Sequence, residues 1–143
     1  MLAFEVNGVY FERNHSDSFE ITENGFKIKW SAFKEIQVET DIIITENGHI
    51  RRHTITSPYE GYAYDCGFAV AARDKDNCVC TTDGDTARAE NKFSVCSVTG
   101  AGKAIVFTTS PNTNIMYNKT VIPAMKYKLN KGITVIETVI TEE

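Results

Sequence analysis

Apolar and polar residues alternate along this chain in short stretches, and turn residues separate one stretch from the next. Phe26-Lys27-Ile28-Lys29-Trp30 alternates cleanly, and residues 33–38 do so in large part. In an extended backbone successive side chains point to opposite faces, so each run collects its apolar residues on one side. Ile36, Val38 and Thr40 lead into Ile42-Ile43-Ile44, a continuous apolar run expected of a central strand covered on both faces. Further β-branched and aromatic runs occupy 50–55, 67–72, 78–82, 93–98, 104–108, 121–129 and 133–140. Glu23-Asn24-Gly25, Glu46-Asn47-Gly48, Asp83-Gly84, Gly100-Ala101-Gly102 and Asn130-Lys131-Gly132 carry the residues that hairpin turns need at positive φ. About ten or more short strands with little helix predict an all-β domain, arranged as a two-sheet antiparallel β-sandwich. Residues 87–92 suit one helical turn or, after Asp83-Gly84-Asp85, a loop. Segment 7–19 is polar and shows no clear boundary.

Length and charge narrow the picture. A chain of 143 residues is one domain by default and long enough to bury a core without a metal or disulfide staple. Hydrophobic content of 42% with 24% charged residues excludes a disordered chain. Fifteen Lys+Arg against nineteen Asp+Glu give a net charge of −4, which offers no phosphate-binding field, so nucleic acid is not an expected partner. No apolar run reaches the ~18–20 residues of a membrane span, and Met1-Leu2-Ala3-Phe4-Glu5 opens no signal peptide, so no membrane is expected. Cys66 and Cys96 stand alone and read as small core residues, whereas Cys78-Val79-Cys80 would put both thiols on one strand face. Zinc knuckles use C-x2–4-C pairs, so neither a metal nor a cofactor is expected. Unpaired thiols lean toward a reducing, cytoplasmic setting.

Few motifs carry chemistry. Gly100-Ala101-Gly102-Lys103 lacks the upstream Gly, the Ser or Thr and the helix of a phosphate loop. Asp74-Lys75-Asp76-Asn77 lacks the Gly and Glu of a calcium loop and reads as a surface turn. Asn14-His15-Ser16 and Asn118-Lys119-Thr120 match a glycosylation pattern that matters only in a secreted eukaryotic protein. In His49-Ile50-Arg51-Arg52-His53, by contrast, His49, Arg51 and His53 share one strand face. Two imidazoles flanking a guanidinium suit a carboxylate such as a uronate, unless the face is merely solvated. Arg52 has the opposite parity and should reach solvent or a carboxylate. Tyr59, Tyr62 and Tyr64 suit either stacking on sugars or capping a sandwich end. Ser110-Pro111-Asn112-Thr113-Asn114 reads as a structured turn. No nucleophile–base pair is visible, so an autonomous enzyme is the least expected reading.

His49-Ile50-Arg51-Arg52-His53-Thr54-Ile55, Cys66-Gly67-Phe68-Ala69-Val70, Pro111-Asn112-Thr113-Asn114-Ile115 and Thr120-Val121-Ile122-Pro123-Ala124 occur in one order. That series resembles the C-terminal part of the domain-of-unknown-function 2264 family, across roughly residues 33–140; the first thirty residues add little. Its members look like relatives of bacterial heparinase II/III-type proteins, with an N-terminal α/α toroid followed by a β-rich domain. The resemblance implies that residues 1–143 form the single C-terminal β domain of a longer chain whose toroid is absent here. The implied role is accessory: packing on the toroid and helping shape a carbohydrate cleft, inactive alone even if the parent is a polysaccharide lyase. A stand-alone carbohydrate-binding module and a purely structural domain are the alternatives. The expected partners are the toroid and an acidic glycan. His49, Arg51 and His53 are the candidate glycan contacts, His53 the candidate proton donor, and Asn112 and Asn114 the candidate hydroxyl contacts.

Overall fold

The computed structural model describes residues 1–12, 15–33, 35–72, 78–109 and 120–142, among which strand takes up 77% and helix is absent. Among the described residues fourteen strands run in chain order: β1 (Leu2–Val6), β2 (Val9–Phe11), β3 (His15–Thr22), β4 (Gly25–Ala32), β5 (Ile36–Thr45), β6 (Gly48–Ser57), β7 (Gly61–Cys66), β8 (Val70–Ala71), β9 (Val79–Asp83), β10 (Thr86–Glu90), β11 (Val95–Gly100), β12 (Lys103–Thr109), β13 (Thr120–Leu129) and β14 (Gly132–Glu142). The smaller sheet is ordered β12-β13-β7-β1-β2, with β8 also beside β13. The larger is ordered β3-β4-β5-β6-β14-β11-β10-β9. All pairings are antiparallel, neither sheet closes into a barrel, and the expected two-sheet sandwich is what forms.

Alternation along the ladders builds the core. Val38 pairs with Ile55 and Trp30 with Val38, and all three lie on the larger sheet's inner face. Phe4, Met125 and Leu129 face them from the smaller sheet, and Ile140 and Val98 extend the layer, each fully buried. Fully burying one such side chain contributes about 1.5–3 kcal/mol, so these rows hold the sheets together. Pro123 lies within β13, where its carbonyl accepts the Gly67 N–H at 2.8 Å. Its missing donor falls in the gap between the β7 and β8 pairings, so no ladder bond is lost there.

Three local expectations need correction. Residues 87–92 make neither a helical turn nor a loop throughout: β10 buries Ala87 and Ala89 completely and turns Arg88 and Glu90 outward. The 7–19 segment does hold a boundary, because Asn7 (φ 51°) and Gly8 (φ 76°) form the left-handed turn joining β1 to β2. Finally, Ile42-Ile43-Ile44 is not covered on both faces, since Ile44 is 62% exposed. The smaller sheet stops short of this end of the larger one. Phe19 and Ile21 on β3, at 63% and 79% exposure, share the same uncovered inner face through their register with Ile28 and Phe26.

Candidate functional site

Where the smaller sheet stops, the inner face of β4, β5 and β6 forms the floor of an open trough of about 580 Å³. Phe26, Ile28, Trp30, Ile42 and Ile44 make its apolar floor, Leu2 and Phe68 stand opposite, and Thr40, His49, Arg51 and His53 form its polar side. Ladder register explains the grouping: Ile42 pairs with Arg51, Thr40 with His53 and Ile44 with His49, all with inward parity. The shared face read from sequence is therefore real, but it is turned into the sandwich. Arg51 and His53 are 8% and 3% exposed, and His49 is half-buried.

A hydrogen-bonded chain crosses this wall. Trp30 Nε1–H donates to Thr40 Oγ1 at 2.9 Å, and Thr40 Oγ1 lies 2.7 Å from His53 Nδ1. His53 Nε2 lies 3.1 Å from Asp65 Oδ2, and Arg51 Nη1 donates to Asp65 Oδ1 at 2.9 Å. Arg51 Nη1 also donates to the Cys66 carbonyl at 2.8 Å, and Arg51 Nε to His49 Nε2 at 2.9 Å. Donor direction follows from chemistry. The Asp65 carboxylate only accepts, so His53 Nε2 carries a proton; Thr40, already accepting from Trp30, then donates to Nδ1. His49 Nε2 accepts from a guanidinium, which leaves the proton on Nδ1. Arg51 and Asp65 cancel in charge.

Electrostatics agree with this arrangement. Burial alone would raise the Asp65 carboxyl, but the hydrogen bond from His53 and the Arg51 guanidinium outweigh it and hold the group at about 2. His49 is lowered by burial first and by the Arg51 charge second. Its ring packs edge-on against Phe68 at 5.8 Å. Arg52, on the opposite face, pairs with Glu137 through Nη2–Oε2 at 2.6 Å, as its parity required.

The remaining candidates scatter. Asn112 and Asn114 lie outside the described residues, as does the Asp74–Asn77 stretch. Tyr59 bonds Glu35 through its hydroxyl, while Tyr62 and Tyr64 lie on the smaller sheet's outer face, away from the trough. Cys66 and Cys96 are buried, and burial pushes the Cys66 thiol up to about 11. Sequence reasoning missed Trp30, Thr40 and Asp65 as members of the polar wall. Thr40 carried a signal: it is the one polar residue of inward parity between Val38 and Ile42. No cluster of three or more His, Cys, Asp or Glu that could hold a metal ion stands among the described residues. Among them too, no helix is long and apolar enough to cross a membrane.

The fold and its trough define a β-sandwich domain with one incompletely covered sheet face. The chain belongs to the DUF2264 C-terminal domain family, whose model matches residues 13–141, so the match begins earlier than the 33–140 block expected from motifs. No curated protein matches it. Among solved structures it is similar to a 4-alpha-glucanotransferase from Thermococcus litoralis, with TM-score 0.64, 14% identity, 98% of this chain and 26% of that one covered. It is also similar to a heparan sulfate lyase HepC mutant from Pedobacter heparinus, with TM-score 0.58, 9% identity, 90% of this chain and 21% of that one covered. At these identities the likeness is one of fold. The chain spans about a quarter or less of either structure.

Proposed function

We propose that this chain is the accessory β domain of a carbohydrate-active protein, docking its trough against a helical domain of the same parent and helping to shape a carbohydrate cleft there. The observation that supports it is the uncovered inner face of the larger sheet. Phe19, Ile21 and Ile44 extend the trough floor outward, more than half exposed each, and a contiguous apolar surface of this kind marks an interface. Their burial would contribute about 1.5–3 kcal/mol apiece. The family describes a C-terminal domain, and both structural neighbours, a lyase and a glucanotransferase, carry a like sandwich within a much longer chain.

The polar wall then lies at the edge of the cleft. His49, half-buried and with no partner at Nδ1 among the described residues, is the group able to meet a sugar hydroxyl or a uronate carboxylate. Arg51, held by Asp65, fixes the His49 ring through its Nε–H. His53 has both ring nitrogens engaged, so it positions Asp65 and is not free to give a proton. The chain alone turns nothing over, because the cleft is completed by the partner domain.

Hydrogen exchange tests the docking. In the full-length gene product, β4 and β5 should exchange at least tenfold more slowly than in this chain alone, and Ile44→Lys should abolish the difference. Equal exchange in both forms, or a gene product with no further domain, overturns the reading.

A further inference from the structure

The smaller sheet has a second face, opposite the core, with a different chemistry. Register places Glu5 between Tyr10 and Tyr62, with Lys128 beyond Tyr62. In the next row Tyr64 is followed by Lys126 and then Lys103. Tyr62 is 43% exposed and Tyr10 61% exposed. Lys126 Nζ lies over the Tyr62 ring, 3.9 Å from its centroid, and 5.5 Å from that of Tyr64. Tyr10 packs on Tyr64 with centroids 5.8 Å apart. Glu5 is engaged by the Tyr64 hydroxyl. Among the described residues no carboxylate forms an ion pair with Lys103, Lys126 or Lys128.

Three lysines and one occupied carboxylate thus gather on one flat face of a chain whose net charge is −4. A solvated sheet face needs charge but not exposed aromatic rings; an ordinary apolar docking face needs rings but not unpaired lysines. Their combination suits a ligand that is itself apolar on one side and anionic at its rim. A pyranose ring bearing a carboxylate or sulfate has that form: its C–H face packs on tyrosine and its anion meets an ammonium. We propose that this face binds an anionic polysaccharide. Tyr62 supplies the ring face, Lys126 fixes the ring orientation through its cation–π contact, and Lys103 and Lys128 meet the acidic groups on neighbouring sugars. The inference shares the carbohydrate reading above but uses the smaller sheet's outer face, not the trough.

The test is calorimetric titration of this chain with a heparin oligosaccharide, an oligogalacturonate, a neutral cello-oligosaccharide and an oligothymidylate, at low and moderate salt. The expected result is binding of at least one acidic glycan, weakened by salt, with no binding of the neutral one. Tyr62→Ala should weaken it about three- to tenfold, the scale of a lost aromatic contact. Lys126→Ala and Lys128→Ala should weaken it as well, with unfolding midpoints unchanged. Arg52→Ala, on the larger sheet's outer face and outside both surfaces, should bind as wild type. Absence of binding to both acidic glycans overturns the proposal. So does equal binding of oligothymidylate with no effect of Tyr62→Ala, which is ion exchange only. Loss of binding in His49→Ala alone also overturns it, and would move the glycan to the trough. Failure of the docking experiment above leaves this result untouched.

Discussion

Asp65→Asn removes one charge at the centre of the polar wall and keeps the side chain's shape. The carboxylate is fully buried and receives both Arg51 and His53. Breaking a buried ion pair from one side costs about 3–5 kcal/mol, because the remaining charge is left desolvated. Against a total stability of roughly 5–15 kcal/mol for a domain, that is a large fraction. Scaling by domain size, the unfolding midpoint should drop by about 10–15 °C. The damage also propagates. An amide turned to satisfy Arg51 with its oxygen presents Nδ2–H to His53 Nε2–H, so the ring must move its proton to Nδ1. Thr40 Oγ1 would then accept from both Trp30 and His53, and its own hydroxyl would lose its acceptor. Trp30 is the only tryptophan of the chain, so its emission reads the far end of the network directly.

Acid gives a second readout of the same residue. Because the folded Asp65 carboxyl sits at about 2, below its ordinary 3.8, its contribution is fully present above pH ~4 and is lost as pH falls through 2. By linkage that contribution is on the order of 2 kcal/mol. Urea titrations followed by Trp30 emission at pH 7, 4, 3 and 2 should show it in wild type, and Asp65→Asn should flatten it. A variant within about 1 kcal/mol of wild type at pH 7, or one that keeps the full acid slope, refutes the argument that Asp65 is the keystone of this wall.

Neighbouring arginines should behave differently: Arg51→Ala should cost several kcal/mol in urea unfolding, whereas Arg52→Ala, whose partner Glu137 is well exposed, should cost no more than about 1 kcal/mol. Gly25→Ala should destabilise by about 1–3 kcal/mol or fail to fold, since a Cβ there would lie 1.8 Å from the Ile42 carbonyl oxygen. Its soluble yield and thermal midpoint against Gly84→Ala, where no neighbour lies within 4 Å, separate crowding from backbone conformation. The lowered His49 should stay neutral in the folded chain as pH drops below its ordinary 6.5. Stability should therefore begin to fall below that pH, and His49→Gln should remove this first step while leaving the Asp65 step in place. Thermal midpoints with and without reductant should coincide, because Cys66 faces the outer side of one sheet and Cys96 the interior of the other; a drop of ~5 °C or more in reductant contradicts this.

Local rules made much of this fold legible. Phe26 to Trp30 alternates in sequence and alternates in the sheet, and the Asn-Gly pairs at 24–25 and 47–48 turn the chain where expected. The misses have physical causes. Asn7-Gly8 is as strong a hairpin signal as the others, but β2 is only three residues long and offers too little alternation to mark its strand. Ala87-Arg88-Ala89-Glu90 combines good helix formers with a period of two, and pairing to β9 and β11 overrides that propensity. For the wall, parity fixed which of His49, Arg51 and His53 share a side. It carried no information on which side another sheet covers. Asp65 and Thr40 arrive from β7 and β5, so the ion pair and the hydroxyl link exist only once two sheets are stacked.

That stacking also explains why one domain can present two chemically unlike surfaces. The larger sheet has eight strands and the smaller six, with the short β8 and β2 among them, so the smaller leaves part of the larger sheet's inner face uncovered. What is uncovered was patterned to be a core: aliphatic, aromatic, and polar only where ions cancel. The smaller sheet's outer face sets an apolar cluster around Tyr64, Cys66 and Ala124 beside Lys103, Lys126 and Lys128, which form no ion pair among the described residues. The two face the same direction on levels about 10 Å apart, one floored by β4 to β6 and the other by β7 and β13, so each surface is read by its own strands. Hydrogen exchange in a full-length protein should accordingly protect β4 and β5 without slowing β7 or β13. Addition of acidic glycan should slow β7 and β13 without further change in β4. If both ligand and partner domain protect the same strands, the two surfaces are not independent, and the division of roles argued from their chemistry fails.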